Sequence, residues 1–409
     1  MNVEANSAYQ EWRQYYALPI MAGLGYATMG IHVYAIGVYI GPVSKAFGWS
    51  RTLTTVGLSL AMIIQAIFAI PGGMLVDRIG SRLLAIVGML MAAAAFALLG
   101  TATGDAKNWY LLWALMGLAV IVAPASVWTS AIAARFKASR GLAFSVALSG
   151  SSIATALFPY LGAKLIAAYG WRTAFAAEAG LWIAVAFPLV FMFFRDEPDP
   201  RKSRQAQDLH GPSVVNGITF LDGLRSTIYV RILLAGFLFT FTTLPITVHF
   251  VPMLASNGFS TTEAAGIASL IGVSSFIGRM ATGVLLDSFR ASIISACVFL
   301  LPAAACILLL ATGYSLIGAI AATVLIGLTV GAEITVQAYL AGRYFGRKAF
   351  GALLGGILTA NMIGAATGPV GGAWIFDRFG NYTLGLWLVS GLTLVSSLAM
   401  ASLPRPPID

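Results

Sequence analysis

Between Arg82 and Asp105 the chain carries no charged side chain. At 1.5 Å per residue, about 20 apolar residues in a helix cross the ~30 Å hydrocarbon core of a bilayer. Such runs recur twelve times, separated by short polar or basic breaks. The pattern suits membrane-crossing helices and not the dyad alternation of barrel strands. Composition agrees, with 59% hydrophobic and 10% charged residues and a mean hydropathy of +0.86, where a soluble domain carries about 25% charged residues. The expected fold class is an all-α polytopic membrane protein with 12 transmembrane helices.

The spans are expected at about 17–40, 52–76, 81–102, 108–132, 141–167 and 171–194, then 229–255, 261–286, 290–312, 315–340, 349–376 and 381–403. The polar start leads directly into the first span without a cleavage-site pattern, so that span is expected to be its own membrane signal. Net charge is +9, but its placement argues against a nucleic-acid partner. Of the Lys and Arg residues, 17 fall in loops on one side of the spans and 6 on the other, with Arg279 left inside a span. The positive-inside rule then puts both termini in the cytoplasm and the protein in the inner (plasma) membrane. Cys297 and Cys306 share one apolar span with no histidine nearby. They read as packing residues, and nothing in the chain calls for a metal or cofactor.

The one long polar stretch separates two sets of six spans. This gives bundles at 1–194 and 229–409 joined by a cytoplasmic linker at 195–228, in which Thr219 to Asp222 has the form of a capping box opening a short surface helix. The two sets repeat at a constant offset of 210 residues. Gly48-Trp49-Ser50 returns as Gly258-Phe259-Ser260, Gly73 to Asp77 as Gly283 to Asp287, Gly117-Leu118 as Gly327-Leu328, and Gly141, Pro159 and Gly170 as Gly351, Pro369 and Gly380. Parallel repeats of this kind place a substrate site near the bilayer midplane between two halves that rock.

The run Gly73-Met74-Leu75-Val76-Asp77-Arg78-Ile79-Gly80-Ser81-Arg82 resembles the loop between the second and third helices of the major facilitator superfamily. The resemblance implies two six-helix bundles, secondary active transport by alternating access, and a role for Asp77, Arg78 and Arg82 as a latch that favours one access state. The setting of Arg279, the run from Arg343 to Gly351 and Gly170-Trp171-Arg172 are similar to the monocarboxylate-porter and oxalate:formate-antiporter branch. One departure matters. The oxalate antiporter pattern adds a lysine in the eleventh helix, where this chain has only Asn361 near that depth, so the resemblance implies a monoanion rather than a doubly charged substrate.

Arg279 interrupts the small-residue run Ser274 to Asp287. A guanidinium stays charged, and its insertion at mid-bilayer costs about 2.5–3.5 kcal/mol. Counting from Asp287, it lies about 12 Å inside the membrane boundary; Glu333, counted from Arg343, lies about 15 Å inside. The two are expected at a similar depth, and two readings stay open. They form a structural pair, which is often no better than neutral for stability, or Arg279 grips a substrate carboxylate through its two-pronged fork while Glu333 couples protons or gates. Under the second reading, substrate binding at the arginine lets Glu333 take a proton more easily.

His32, Tyr34, Asn361 and Ser275 are the further substrate-contact candidates, and His32 can also relay a proton. Each has a blander alternative as a polar group bonded within the bundle. By the repeat, Arg279 pairs with Ala69 and Asn361 with Ser151, so the polar machinery belongs mostly to the second half. His249, near the end of its span, is expected at the membrane interface, and Trp128 in packing.

The leading expectation is a secondary transporter of small organic monocarboxylate anions, proton-coupled or anion-exchanging, working as a monomer with the bilayer and its substrate as partners. The rivals are a drug or metabolite exporter and a non-transporting membrane sensor. A nucleotide-binding loop, nucleophile triad and metal-ligand constellation are not seen in the sequence, so it is not expected to be an enzyme.

Overall fold

The structure, a computed structural model, describes residues 2–195, 217–346 and 349–405. It is helical: α1 Asn2–Tyr15, α2 Ala17–Tyr34, α3 Ile36–Phe47, α4 Arg51–Ile79, α5 Ser81–Leu98, α6 Ala106–Ile121, α7 Ala125–Arg135, α8 Arg140–Leu148, α9 Gly150–Phe193, α10 Phe220–Arg225, α11 Thr227–Ala255, α12 Thr261–Ser288, α13 Ala291–Ala311, α14 Leu316–Phe345, α15 Phe350–Phe379 and α16 Thr383–Ala401. Among the described residues, 11 helical stretches are long and apolar enough to cross a membrane. One of them, Arg140–Phe193, is 54 residues long and is broken at Gly170 (φ 76°, ψ 161°), so it supplies two crossings. That backbone conformation suits a residue without a Cβ.

Helix starts carry the repeat into three dimensions. Ala17 and Thr227, Arg51 and Thr261, Ser81 and Ala291, Ala106 and Leu316, and Arg140 and Phe350 all begin helices at the one offset of 210 residues. The turn residues follow, since Gly48 pairs with Gly258, Gly104 with Tyr314 and Gly170 with Gly380, all at positive φ. The halves differ where their sequences do. The fourth span breaks into α6 and α7 at Pro124, whose ring and missing N–H end a helix. Its counterpart α14 has Ile334 there and runs unbroken through Glu333.

The chain forms two compact units, Met1–Ile36 with Ile64–Gly211 and Gly37–Ile63 with Pro212–Asp409. Residues 37–63, which chain order assigns to the first set of spans, thus pack within the second unit.

In the first unit α2 lies against α9, and Trp109, Trp113, Trp128, Phe96 and Phe175 are buried in the core. The Trp128 ring occupies the space where Gly25 has no side chain. The surface helix α1 is pinned by Glu11, whose carboxylate accepts the backbone N–H groups of Lys137, Ala138 and Ser139 and the Ser139 hydroxyl, all within 2.9–3.0 Å.

In the second unit α12 packs on α14 and α11 on α15. Small residues bring α12 and α14 nearly backbone to backbone, because a methyl group at Gly331 would run into the Ser275 carbonyl and one at Gly278 into Leu328. Thr219 caps α10 by accepting the Asp222 N–H at 3.3 Å.

Candidate substrate and proton site

The register of α12 on α14 sets Ser275 against Gly331 and Gly278 against Leu328, so Arg279 and Glu333 lie at one level of the second unit. Arg279 is 8% exposed, within an otherwise apolar and small-residue helix. Ser275, one turn before it, is buried and donates its hydroxyl to the Gly272 carbonyl at 2.8 Å.

Glu333 draws neutral donors from three helices. Its Oε1 accepts the Thr240 hydroxyl of α11 at 2.8 Å, the Asn361 amide of α15 at 3.0 Å and, more distantly, the Gln337 amide of α14 at 3.5 Å. Asn361 uses its second amide hydrogen on Gln337 Oε1 at 2.8 Å. A partly buried carboxylate inside a helix bundle is stabilised by such partners. Gly236 makes room for them, since a Cβ there would lie 2.6 Å from both Asn361 Oδ1 and Gln337 Nε2. Asn361, a substrate-contact candidate on sequence grounds, is therefore engaged with Glu333. Thr240 and Gly236 escaped sequence reasoning; the only signal for them was a Gly-x-x-x-Thr spacing that places both on one face of α11.

In the first unit His32 is 1% exposed, and its Nε2 meets the Gln65 amide nitrogen at 3.1 Å. An amide nitrogen only donates, so His32 Nε2 accepts and its proton sits on Nδ1. The His32 Nδ1 and Trp113 Nε1 atoms are buried without a hydrogen-bond partner among the described residues, with the two rings 6.5 Å apart. Trp113 was not singled out by sequence. The Tyr34 ring folds over Gly30.

Of the latch candidates, the Asp77 side chain lies outside the described residues, and Arg78 is exposed. Arg82 donates to the Phe191 carbonyl at 2.9 Å, at the end of α9, where a helix presents free carbonyls and negative potential. His249, expected near the end of its span, makes its contacts inside the second unit. It is buried, and its Nε2 pairs with the Pro369 carbonyl at 2.8 Å, in space left open by Gly372.

A polytopic helical protein whose set of spans recurs at one sequence offset, with ionisable groups inside its helices, has the character of a membrane carrier. The sequence matches the Major Facilitator Superfamily over residues 22–335, and the chain belongs to that family of transporters. Among its relatives, the MFS transporter asaE of Aspergillus flavus is 25% identical over 80% of this chain and 72% of its own length. Monocarboxylate transporter 12 of Mus musculus is 23% identical over 77% of this chain and 70% of its own. The riboflavin transporter RibJ of Trypanosoma cruzi is 32% identical over 31% of this chain and 27% of its own. The chain is thus a multi-pass membrane transporter of a family of carriers, not of enzymes.

Proposed function

We propose that this transporter carries small organic monocarboxylate anions by alternating access, with Arg279 receiving the carboxylate and Glu333 exchanging the coupled proton. The observation that carries the reading is the buried guanidinium of Arg279 in an apolar helix, level with a carboxyl group whose hydrogen bonds come from neutral donors. Arg279 donates in a fork that matches a carboxylate. Glu333, cradled by a hydroxyl and two amides, can change protonation by exchanging hydrogen bonds with them. The similarity to a protein named as a monocarboxylate transporter supports the same class. The side of the membrane follows from the excess of basic loops, which puts both termini in the cytoplasm and the carrier in the inner (plasma) membrane.

Counterflow in proteoliposomes tests the reading, using labelled acetate, lactate and benzoate beside oxalate and riboflavin. Exchange of one or more monocarboxylates, with oxalate excluded, is the expected result. Exchange of riboflavin alone, with no response to any carboxylate, overturns it.

A further inference from the structure

Glu333 is the one acidic residue between Asp287 and Asp377, and its surroundings can be accounted for hydrogen by hydrogen. Asn361 has two amide hydrogens and gives one to Glu333 Oε1 and one to Gln337 Oε1. Gln337 likewise turns its amide nitrogen toward Glu333 Oε1 and Asn361 Oδ1, both at 3.5 Å. These amide nitrogens can only donate, and Gly236 leaves the space in which they sit. Thr240 differs. Its hydroxyl has a single hydrogen but two acceptors in reach, Glu333 Oε1 at 2.8 Å and the Gly236 carbonyl at 3.1 Å. A hydroxyl also accepts, which an amide nitrogen cannot do.

We propose that Thr240 is the hydrogen-bond pivot of Glu333, a positioning residue that turns its hydrogen from the carboxylate to the Gly236 carbonyl when the carboxyl takes up a proton. In the ionised state the Thr240 O–H donates to Glu333. When a proton arrives from the aqueous pathway, the new Glu333 O–H donates to Thr240 Oγ1, and the displaced Thr240 hydrogen moves to the Gly236 carbonyl. No bond is broken other than hydrogen bonds, and the carboxyl has a partner in both states, which avoids the cost of leaving a partly buried polar group unsatisfied.

The other titratable and charged groups around the pivot are few. From α12, Arg279 lies at the same level. On α11, Tyr229, Arg231 and His249 lie two turns or more from Thr240. In α13 the titratable groups are Cys297 and Cys306; α15 has none before Asp377; α14 itself adds Tyr339, Arg343 and Tyr344 toward its end. Among the described residues of these second-unit helices, Arg279 is the one charge level with Glu333. The inference rests on the reading of Glu333 as the proton-exchanging group.

Infrared difference spectroscopy of the full-length protein in liposomes, titrated with acid without added substrate, separates the two. A carboxylic C=O band that is lost in Glu333→Gln identifies the protonated group. In Thr240→Val, which keeps the shape and removes the hydroxyl, that band should move to higher wavenumber as its hydrogen bond disappears. In Thr240→Ser it should return to the wild-type position. A band that stays put in Thr240→Val overturns the pivot and leaves the proton role of Glu333 standing. Spectra of wild type and Glu333→Gln that do not differ overturn both. Should Thr240→Val fail to fold, Thr240→Ala makes the same comparison, because it also lacks the hydroxyl.

Discussion

Asp377, on α15, caps the first turn of α4 from across the sequence: its Oδ1 accepts the Arg51 N–H at 2.9 Å and its Oδ2 the Thr52 N–H at 2.7 Å. The first N–H groups of a helix have no partner within it, and a carboxylate there also meets the positive end of the helix dipole. The Arg51 side chain returns the contact, donating to the Tyr382 hydroxyl at 2.7 Å with its guanidinium 3.4 Å above the Phe376 ring. Residues 37–63 are thereby tied to the second unit. Asp377→Ala should destabilise the protein by about 0.5–2 kcal/mol, the range for losing a helix cap. Thermal unfolding in detergent measures it, and an unchanged transition would mean that α4 needs no cap from α15.

Glu11 makes a pH-dependent clamp on residues 137–139. Burial pushes its carboxyl up, but the hydrogen bonds from Ala138, Lys137 and Ser139 together outweigh that and hold it down at about 2, from an ordinary value of 4.5. A group whose folded-state value is lowered stabilises fully above its unfolded value and loses that contribution as pH falls through the folded one. The clamp should therefore be complete above pH 4.5 and fade toward about 2. Hydrogen exchange at the 137–139 amides should be faster in Glu11→Gln than in wild type at pH 6. Equal rates would show that the loop is held by something else.

How far the sequence anticipates this structure depends on the range of the interaction. The repeat was legible because it is carried by local signals, apolar runs and turn glycines, and the helix starts at Arg51 and Thr261 or Ser81 and Ala291 keep its offset. The common level of Arg279 and Glu333 was legible too, because depth along a helix is only a count of residues. The break at Pro124 carries its own signal, a proline inside the stretch expected as the fourth span. The partners of Glu333 were not legible. Thr240, Gln337 and Asn361 come from three helices, and which faces meet is decided by the close packing that Gly236 permits. The burial of His249 was hidden for the same reason, since it depends on Gly372 in a helix far along the chain.

Glycines with different surroundings should respond differently to the same change. Gly331→Ala drives a methyl group into the Ser275 carbonyl and should part α12 from α14. Gly283 has no atom within 4 Å of where a Cβ would be, so Gly283→Ala should be neutral or stabilise by about 0.4–1 kcal/mol through the unfolded chain. Yield and melting temperature of the two purified variants make the comparison. Equal behaviour would mean that α12 and α14 are not held at backbone distance.

Arg279→Lys asks whether the site reads charge or shape. Lysine keeps the positive charge in a buried position but presents a point donor in place of a planar fork, so one of two parallel hydrogen bonds to a carboxylate is lost. A hydrogen bond to a charged group is worth about 1.5–3 kcal/mol, which translates to about a ten- to hundredfold fall in counterflow of the carried monocarboxylate. Because lysine can snorkel away from the level of Glu333, the loss should fall at the upper end. The variant should elute as a single species in detergent, since a cation remains for whatever Arg279 balances in the resting protein. Wild-type counterflow with an unchanged KM would show that any cation suffices there. The buried guanidinium of Arg279 would then belong to the scaffold and not to the substrate.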